Sequence, residues 1–444
     1  TVFLGLAIAS CIYFVTIDFI PPMSNYNDYK DVNPFIVVVA LLITVAFWLL
    51  YKYLSEKIFL IFLSVFLIPV CFIATEVLSV FDYSFILSPA LRLIEGNPLS
   101  DIYFQYDLFL SLLAAAWMKL NIDLNLFQIL GQLSFYVLFI GVFIFSKRFF
   151  INKTFPVFIL ILLLITRYYA IMHEPVAIFQ VTPLRLELWL ILLVLVYYKG
   201  AYHWINAVII GMLLMVHKNF GLLYLLSYFQ LILTLAIVDF VDVASQKKMS
   251  VTLVKNFILK QFSINWKNIV IIVGFVGASI VLFKGFIPKS ALLYQQIGVG
   301  MIQISIQSFY WYIPAVLSLC FILLLKYRNT LSSKYFQTGL LIVFLTIGNS
   351  IYFFGRSHEH NILNIATSLA FLLFLLFDLM GYEQIVTEAG SKLKSKKTDQ
   401  DTEQPQKFLK VKRTVLSVLP VVFIAGASYY YSDKVNHKLK TQYK

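Results

Sequence analysis

Apolar runs separated by short polar breaks fill this chain from end to end. A run of about 18 or more apolar residues is long enough to cross a bilayer as a helix. Backbone polar groups in lipid must be satisfied within the segment, so such runs fold as helices. Spans are predicted at residues 1–20, 35–52, 57–80, 126–146, 154–172, 186–199, 203–217, 220–240, 268–284, 311–326, 336–354, 361–380 and 414–431, about thirteen in all. The expected fold is therefore all-α, a polytopic transmembrane helical bundle. The runs at 186–199 and 203–217 are short and must borrow flanking residues. The first run has neither a basic leader nor a small-residue cleavage site, so it is expected to be a span and not a signal peptide.

Three stretches depart from the pattern. After the third run comes FDYSFILSPALRLIEGNPLSDIYFQYD, from Phe81 to Asp107. Ser88-Pro89 predicts a helix N-cap with proline at the first helical position, and Gly96 predicts its end. Ser88, Arg92 and Glu95 share one face of that helix, and Leu87, Leu91 and Ile94 share another. The second stretch, Asp107 to Leu120 (DLFLSLLAAAWMKL), would reach about 21 Å as a helix, against a hydrocarbon core of about 30 Å, and is expected to lie in the interface. Lys289 to Gln307 is a third interfacial candidate. Glu383 to Arg413, with SKLKSKKTDQDTEQPQK, is polar and charged enough to predict a disordered linker. The chain thus divides into two N-terminal spans (1–56), a transmembrane module (57–380) with an outer loop at 81–125, a polar cytoplasmic linker (381–413), and a C-terminal apolar segment with a basic tail (414–444).

Composition agrees with this reading. Of the 444 residues 60% are hydrophobic and 13% charged, where a soluble domain has about 45–50% and about 25%. The net charge of +13 does not point to nucleic acid, because the lysines gather in alternate loops. With the N-terminus inside, the inner loops hold Lys52 and Lys57, Lys147 to Lys153, Lys199, Lys247 to Lys267, Lys326 to Lys334, and Lys392 to Arg413. The outer loops hold Asp28, Asp31, Asp82, Glu95, Asp101, Asp107, Glu174 and Glu359. This follows the positive-inside rule. The tail with Lys434, Lys438, Lys440 and Lys444 breaks it, since parity puts that tail outside. Cys11, Cys71 and Cys320 lie inside apolar runs, with no disulfide or metal spacing.

Asp82 stands where the third span leaves the bilayer, and a carboxylate there is costly unless it has work to do. Phe81-Asp82-Tyr83, the LSPALRLIEGNPL helix-and-turn and the DIYFQYD segment with its short helix together resemble the first outer loop of the C-type (GT-C) membrane glycosyltransferases. TPLR (Thr182 to Arg185), HKNFG (His217 to Gly221) and GRSHEHN (Gly355 to Asn361) resemble stretches of a bacterial branch of that superfamily that uses polyprenyl-phosphate sugars. The resemblance covers roughly residues 57 to 380. Two features depart from it: two spans precede the one that leads to Asp82, and no large outer domain follows the last span.

The resemblance implies transfer of a sugar from a polyprenyl-phosphate carrier to an acceptor hydroxyl, on a glycan, lipid or protein, at the non-cytoplasmic face of a bacterial inner membrane. It implies Asp82 as the general base. Asp101 and Asp107 are weaker rivals, Asp107 being more simply a helix N-cap, and Asp28 and Asp31 are remoter ones. Arg185, Lys218, Arg356 and His358, at outer span ends, would hold the phosphate, although each also fits as an interface anchor. Tyr83, Tyr103 and Tyr106 suit sugar stacking or the aromatic belt. Arg167 is placed to pair with Glu174, and Glu76 lies inside a span. Some members of the superfamily use a divalent ion and others none. Here His173-Glu174, with Asp82 and His358 or His360, is the set that would serve, but no tight spacing such as HExxH occurs. Against the resemblance, the acceptor-binding part is either absent or supplied by a partner subunit in the membrane. Three other readings remain: an O-antigen-type polymerase or ligase, a lipid-linked-sugar transporter or flippase, and a non-catalytic membrane scaffold.

Overall fold

Asn33 and Pro34 open the first helix of the computed structural model, which describes residues 33–72, 80–170, 179–246, 250–284, 309–355, 359–395 and 418–442. The described residues are helical, with no strand among them. Helix α1 is Pro34–Tyr53, with proline in the first turn and the Asn33 side chain accepting from Phe35 N. Helix α2 is Glu56–Cys71 and is capped by Ser55. The outer-loop helices follow, α3 at Val80–Ile94 and α4 at Asp107–Lys119.

The predicted N-cap at Ser88 is not formed. Helix α3 begins eight residues earlier, at Val80, and carries Pro89 in its interior. The predicted stop is formed. Gly96 takes φ +81°, Gly96 N donates to Leu93 O and Asn97 N to Arg92 O, which closes a Schellman motif. Asp107 is no N-cap either: it is the first residue of α4, at φ 69°.

The next helices are α5 (Gln128–Phe149) and α6 (Phe155–Leu163). A π turn, Leu164–Tyr169, widens the end of α6. Then come α7 (Pro183–Leu186), α8 (Trp189–Lys199), α9 (Trp204–Val216), α10 (Lys218–Gln246) and α11 (Val251–Phe283). Helices α9 and α10 form a hairpin with no loop beyond His217. A Cβ on Gly221 would lie 2.5 Å from Leu213 O, so only glycine allows that approach. The described chain ends with α12 (Tyr312–Tyr327), α13 (Ser333–Gly355), α14 (Glu359–Asn364), α15 (Ala366–Ser395), α16 (Val418–Tyr430) and α17 (Ser432–Gln442). Helix α15 continues to Ser395, through the start of the stretch read as a polar linker.

Among the described residues five stretches are long and apolar enough to cross a membrane: Pro34–Tyr53, Leu124–Phe149, Phe220–Gln246, Val251–Phe283 and Ala366–Glu383. Other apolar runs form helices of 10–17 residues. The break at His217 accounts for the shortness of α9. The 1–20 run, Lys289 to Gln307, Asp28, Asp31 and Glu76 lie outside the described residues.

A phenylalanine-rich core, with Phe59, Phe135, Phe139, Phe143, Phe150 and Phe371 sealed inside, joins the long helices. A smaller core holds α3 and α4 together through Tyr83, Ile86, Ala90, Leu110 and Ala114, with Phe127 and Phe179. Polar contacts tie the helix ends. Near the basic loops Lys147 pairs with Glu56 at 2.6 Å, Lys326 with Glu383 at 2.7 Å, and Arg328 with Asp242. Buried Asp378 accepts from Ile151 N, Asn152 N and the Tyr335 hydroxyl. At the opposite helix ends Asn33 N donates to Ser432 Oγ at 2.9 Å, and buried Lys438 donates to Tyr168 O at 2.9 Å. The basic tail helix α17 therefore packs at the end where α1 begins.

Candidate functional site

Three turns bring charge into the interior. The π turn after α6 rotates Arg167 inward until it is wholly buried, and such turns are frequent at functional sites. Its Nε lies 3.0 Å from Glu187 Oε1, and its Nη2 donates to Val181 O at 2.6 Å. Glu187 follows α7 and also accepts from Trp189 Nε1 at 3.0 Å and from the Thr367 hydroxyl at 2.7 Å. A buried carboxylate needs such partners.

The TPLR turn does the second job. Thr182 donates its hydroxyl to Phe179 O, Pro183 starts α7, and Arg185 is carried into a buried position. The guanidinium sits 5.1 Å from the Tyr106 ring centroid and 5.5 Å from that of Phe220.

The third turn is His217. It is buried between α9 and α10, with Nδ1 2.7 Å from Asp107 Oδ2, although the ring N–H does not point straight at the oxygen. The positive φ of Asp107 is uncommon for a residue with a side chain. Phe220 packs edge-on to His217 at 4.9 Å and lies 6.0 Å from Tyr224. Tyr224 is fully buried, within electrostatic range of Glu187, Arg185 and Asp107.

An apolar groove of about 580 Å³ has Glu187 in its lining. Glu187, Pro183 and Leu184 line one part of it. Phe109 and Leu113 of α4 line another, and its walls are Val137 and Gly141 of α5 with Ile191 and Val194 of α8.

The expected site residues fall into three groups. Arg185, Tyr106 and Asp107 come together here. Tyr83 is buried in the small core against Phe127 and Phe179, and burial pushes its phenol above the usual tyrosine range. Asp101 is exposed and accepts from the Ser100 hydroxyl at 2.9 Å. The backbone of Asp82 lies in the first turn of α3, that of Lys218 opens α10 and that of His360 lies in α14, but their side chains are outside the described residues, as are His173, Glu174, Arg356 and His358. Among the described residues no three His, Cys, Asp or Glu side chains form a set able to hold a metal ion.

Glu187, His217, Tyr224 and Thr367 carry no role in the sequence reading. An ionisable residue inside an apolar run is a functional candidate by default, and that rule applied to Glu187 would have found it. Arg167 was expected to pair with Glu174, which lies outside the described residues; among the described residues it pairs with Glu187.

The fold and site define an all-helical protein with several helices suited to a membrane, a buried polar cluster, and an apolar groove whose lining includes Glu187. No protein-family model matches the chain, and no curated protein sequence matches it.

Proposed function

We propose that this chain is an integral-membrane glycosyltransferase that moves a sugar from a polyprenyl-phosphate carrier to an acceptor hydroxyl on the non-cytoplasmic face. The groove carries this reading. It is walled by apolar side chains with Glu187 among them, and Arg185, outside that lining, directly follows two of the lining residues, Pro183 and Leu184, in the chain. A ligand matching both parts has a long apolar chain and an anionic head. A sugar ester of a lipid phosphate is such a ligand, and arginine is the side chain best suited to the phosphate.

In this reading Asp82 takes the proton from the acceptor hydroxyl. The acceptor oxygen bonds to the anomeric carbon as the bond to the phosphate oxygen breaks, and the electron pair leaves with the phosphate. Arg185, Lys218, Arg356 and His358 stabilise the charge that builds there. One in-line displacement inverts the anomeric centre.

The experiment is transfer from a polyprenyl-phosphate sugar by the full chain in lipid vesicles, compared with Asp82→Asn. Transfer by the wild type and its loss in a folded variant support the reading. Undiminished transfer by Asp82→Asn removes Asp82 from the role, and a product with retained anomeric configuration excludes the single displacement.

A further inference from the structure

We infer that Tyr224 and His217 join Arg185 in seating a phosphate headgroup, Tyr224 donating its hydroxyl and His217 presenting Nε2. The inference rests on the proposed lipid-phosphate ligand and names two contacts that the sequence reading does not contain.

Tyr224 is sealed from solvent, yet its hydroxyl has no hydrogen-bond partner among the described residues. Two other buried tyrosines are satisfied: Tyr228, one turn further along α10, donates to Ala201 O at 2.7 Å, and Tyr335 donates to Asp378 at 2.8 Å, whereas the Tyr202 hydroxyl shares the condition of Tyr224. A buried hydroxyl without a partner is unfavourable, and a ligand oxygen would supply what the fold omits. His217 Nε2 is in the same condition, buried and unsatisfied, and Nδ1, though 2.7 Å from Asp107 Oδ2, is not in hydrogen-bond geometry with it. Phe220 and Tyr224 follow at helical spacing on one face of α10, His217 precedes that helix and packs against the Phe220 ring, and the Arg185 guanidinium lies near the rings of both Phe220 and Tyr106.

The electrostatics of the pocket suit an anion. Asp107 and Glu187 both lie within electrostatic range of Tyr224, Glu187 is matched by Arg167, and Asp107 lies 2.7 Å from the His217 ring. Arg185 adds a positive charge. The N-termini of α4 and α10 meet here as well, and the ends of 13- and 29-residue helices bring two sets of backbone N–H groups and two positive dipole ends.

The test uses the full chain in nanodiscs with three probes: a polyprenyl phosphate, the corresponding polyprenol and inorganic phosphate. The wild type is expected to prefer the lipid phosphate to the polyprenol. Tyr224→Phe and His217→Gln are each expected to weaken lipid-phosphate binding about tenfold, or about 1.4 kcal/mol, and to leave polyprenol binding unchanged. Tyr224→Phe is the decisive variant, because it removes a hydroxyl that the unliganded fold does not use and will fold even if His217→Gln does not. A Tyr224→Phe protein that binds the lipid phosphate as the wild type does overturns the inference and leaves the proposed function standing. A change confined to inorganic phosphate overturns the lipid source in favour of a free anion. A wild type that binds neither lipid removes the proposed function and the inference with it.

Discussion

Arg167 and Glu187 form an ion pair at 3.0 Å with both side chains closed off from solvent, one held by a π turn and the other by Thr367 and Trp189. Removing one partner leaves the other charge buried. Arg167→Leu and Glu187→Leu are each expected to destabilise the protein by about 3–5 kcal/mol, and the double variant by less than either single one. Thermal melts of the three proteins in one detergent check this. Singles that melt like the wild type would show that the pair is not a structural anchor.

Gly141 gives a way to fill the groove without disturbing the fold. It lines the groove, and a Cβ there meets nothing within 4 Å. Gly141→Trp is expected to keep the melting temperature of the wild type and to lose binding of a long polyprenyl phosphate. Binding of a short-chain analogue should survive, because the headgroup end is untouched. Equal loss for both chain lengths would mean that the groove does not hold the tail.

Gly221 is expected to behave in the opposite way. Glycine in a helix interior usually gains about 0.5–1 kcal/mol on change to alanine. Here the new methyl would sit 2.5 Å from Leu213 O, and that atom is backbone. Gly221→Ala should therefore destabilise by about 1–3 kcal/mol, the range for overpacking. A stabilised variant, measured by chemical denaturation in detergent, would contradict the contact between α9 and α10.

The tail helix makes a prediction about sidedness. Because α17 is tied to Asn33 and Tyr168, single cysteines at the exposed positions Lys440 and Asp101 are expected to react with a membrane-impermeant reagent from one side. Cysteines at exposed Lys52 and Lys334 should react only from the other. Labelling of Lys440→Cys together with Lys52→Cys would refute the packing of α17 at the start of α1.

The helices were legible because lipid-compatible helices are read from apolar length alone. Pro34–Tyr53 and Gln128–Phe149 fall within a few residues of their predicted runs. Local chemistry was legible where one residue decides it, as at Gly96, whose left-handed φ ends α3. Ser88-Pro89 misled because a cap motif is local and weak: the apolar face of α3 against α4 outweighs it, and the helix runs through Pro89. The site was half visible. Arg185 and Asp107 sit in short polar stretches that draw attention. Tyr224 and Glu187 sit among apolar residues, and only the packing of distant helices gives them their neighbours. The Asp107–His217 contact joins two turns far apart in the chain, and nothing local to either turn encodes it.

Helix α11 has 33 residues, about 50 Å of rod for a slab of hydrocarbon about 30 Å thick. Even a lean of about 40° leaves roughly 10 Å of it uncovered by acyl chains. Trp266 and Lys267 mark the natural waterline, the ammonium lying 5.8 Å from the indole ring, and from Trp266 to Phe283 the rod measures about 27 Å. With Trp266–Phe283 set in a bilayer, the remainder, with exposed Lys255 and Lys260, would stand clear of it as a cationic mast, where the anionic headgroups of the adjacent leaflet would gather at its foot.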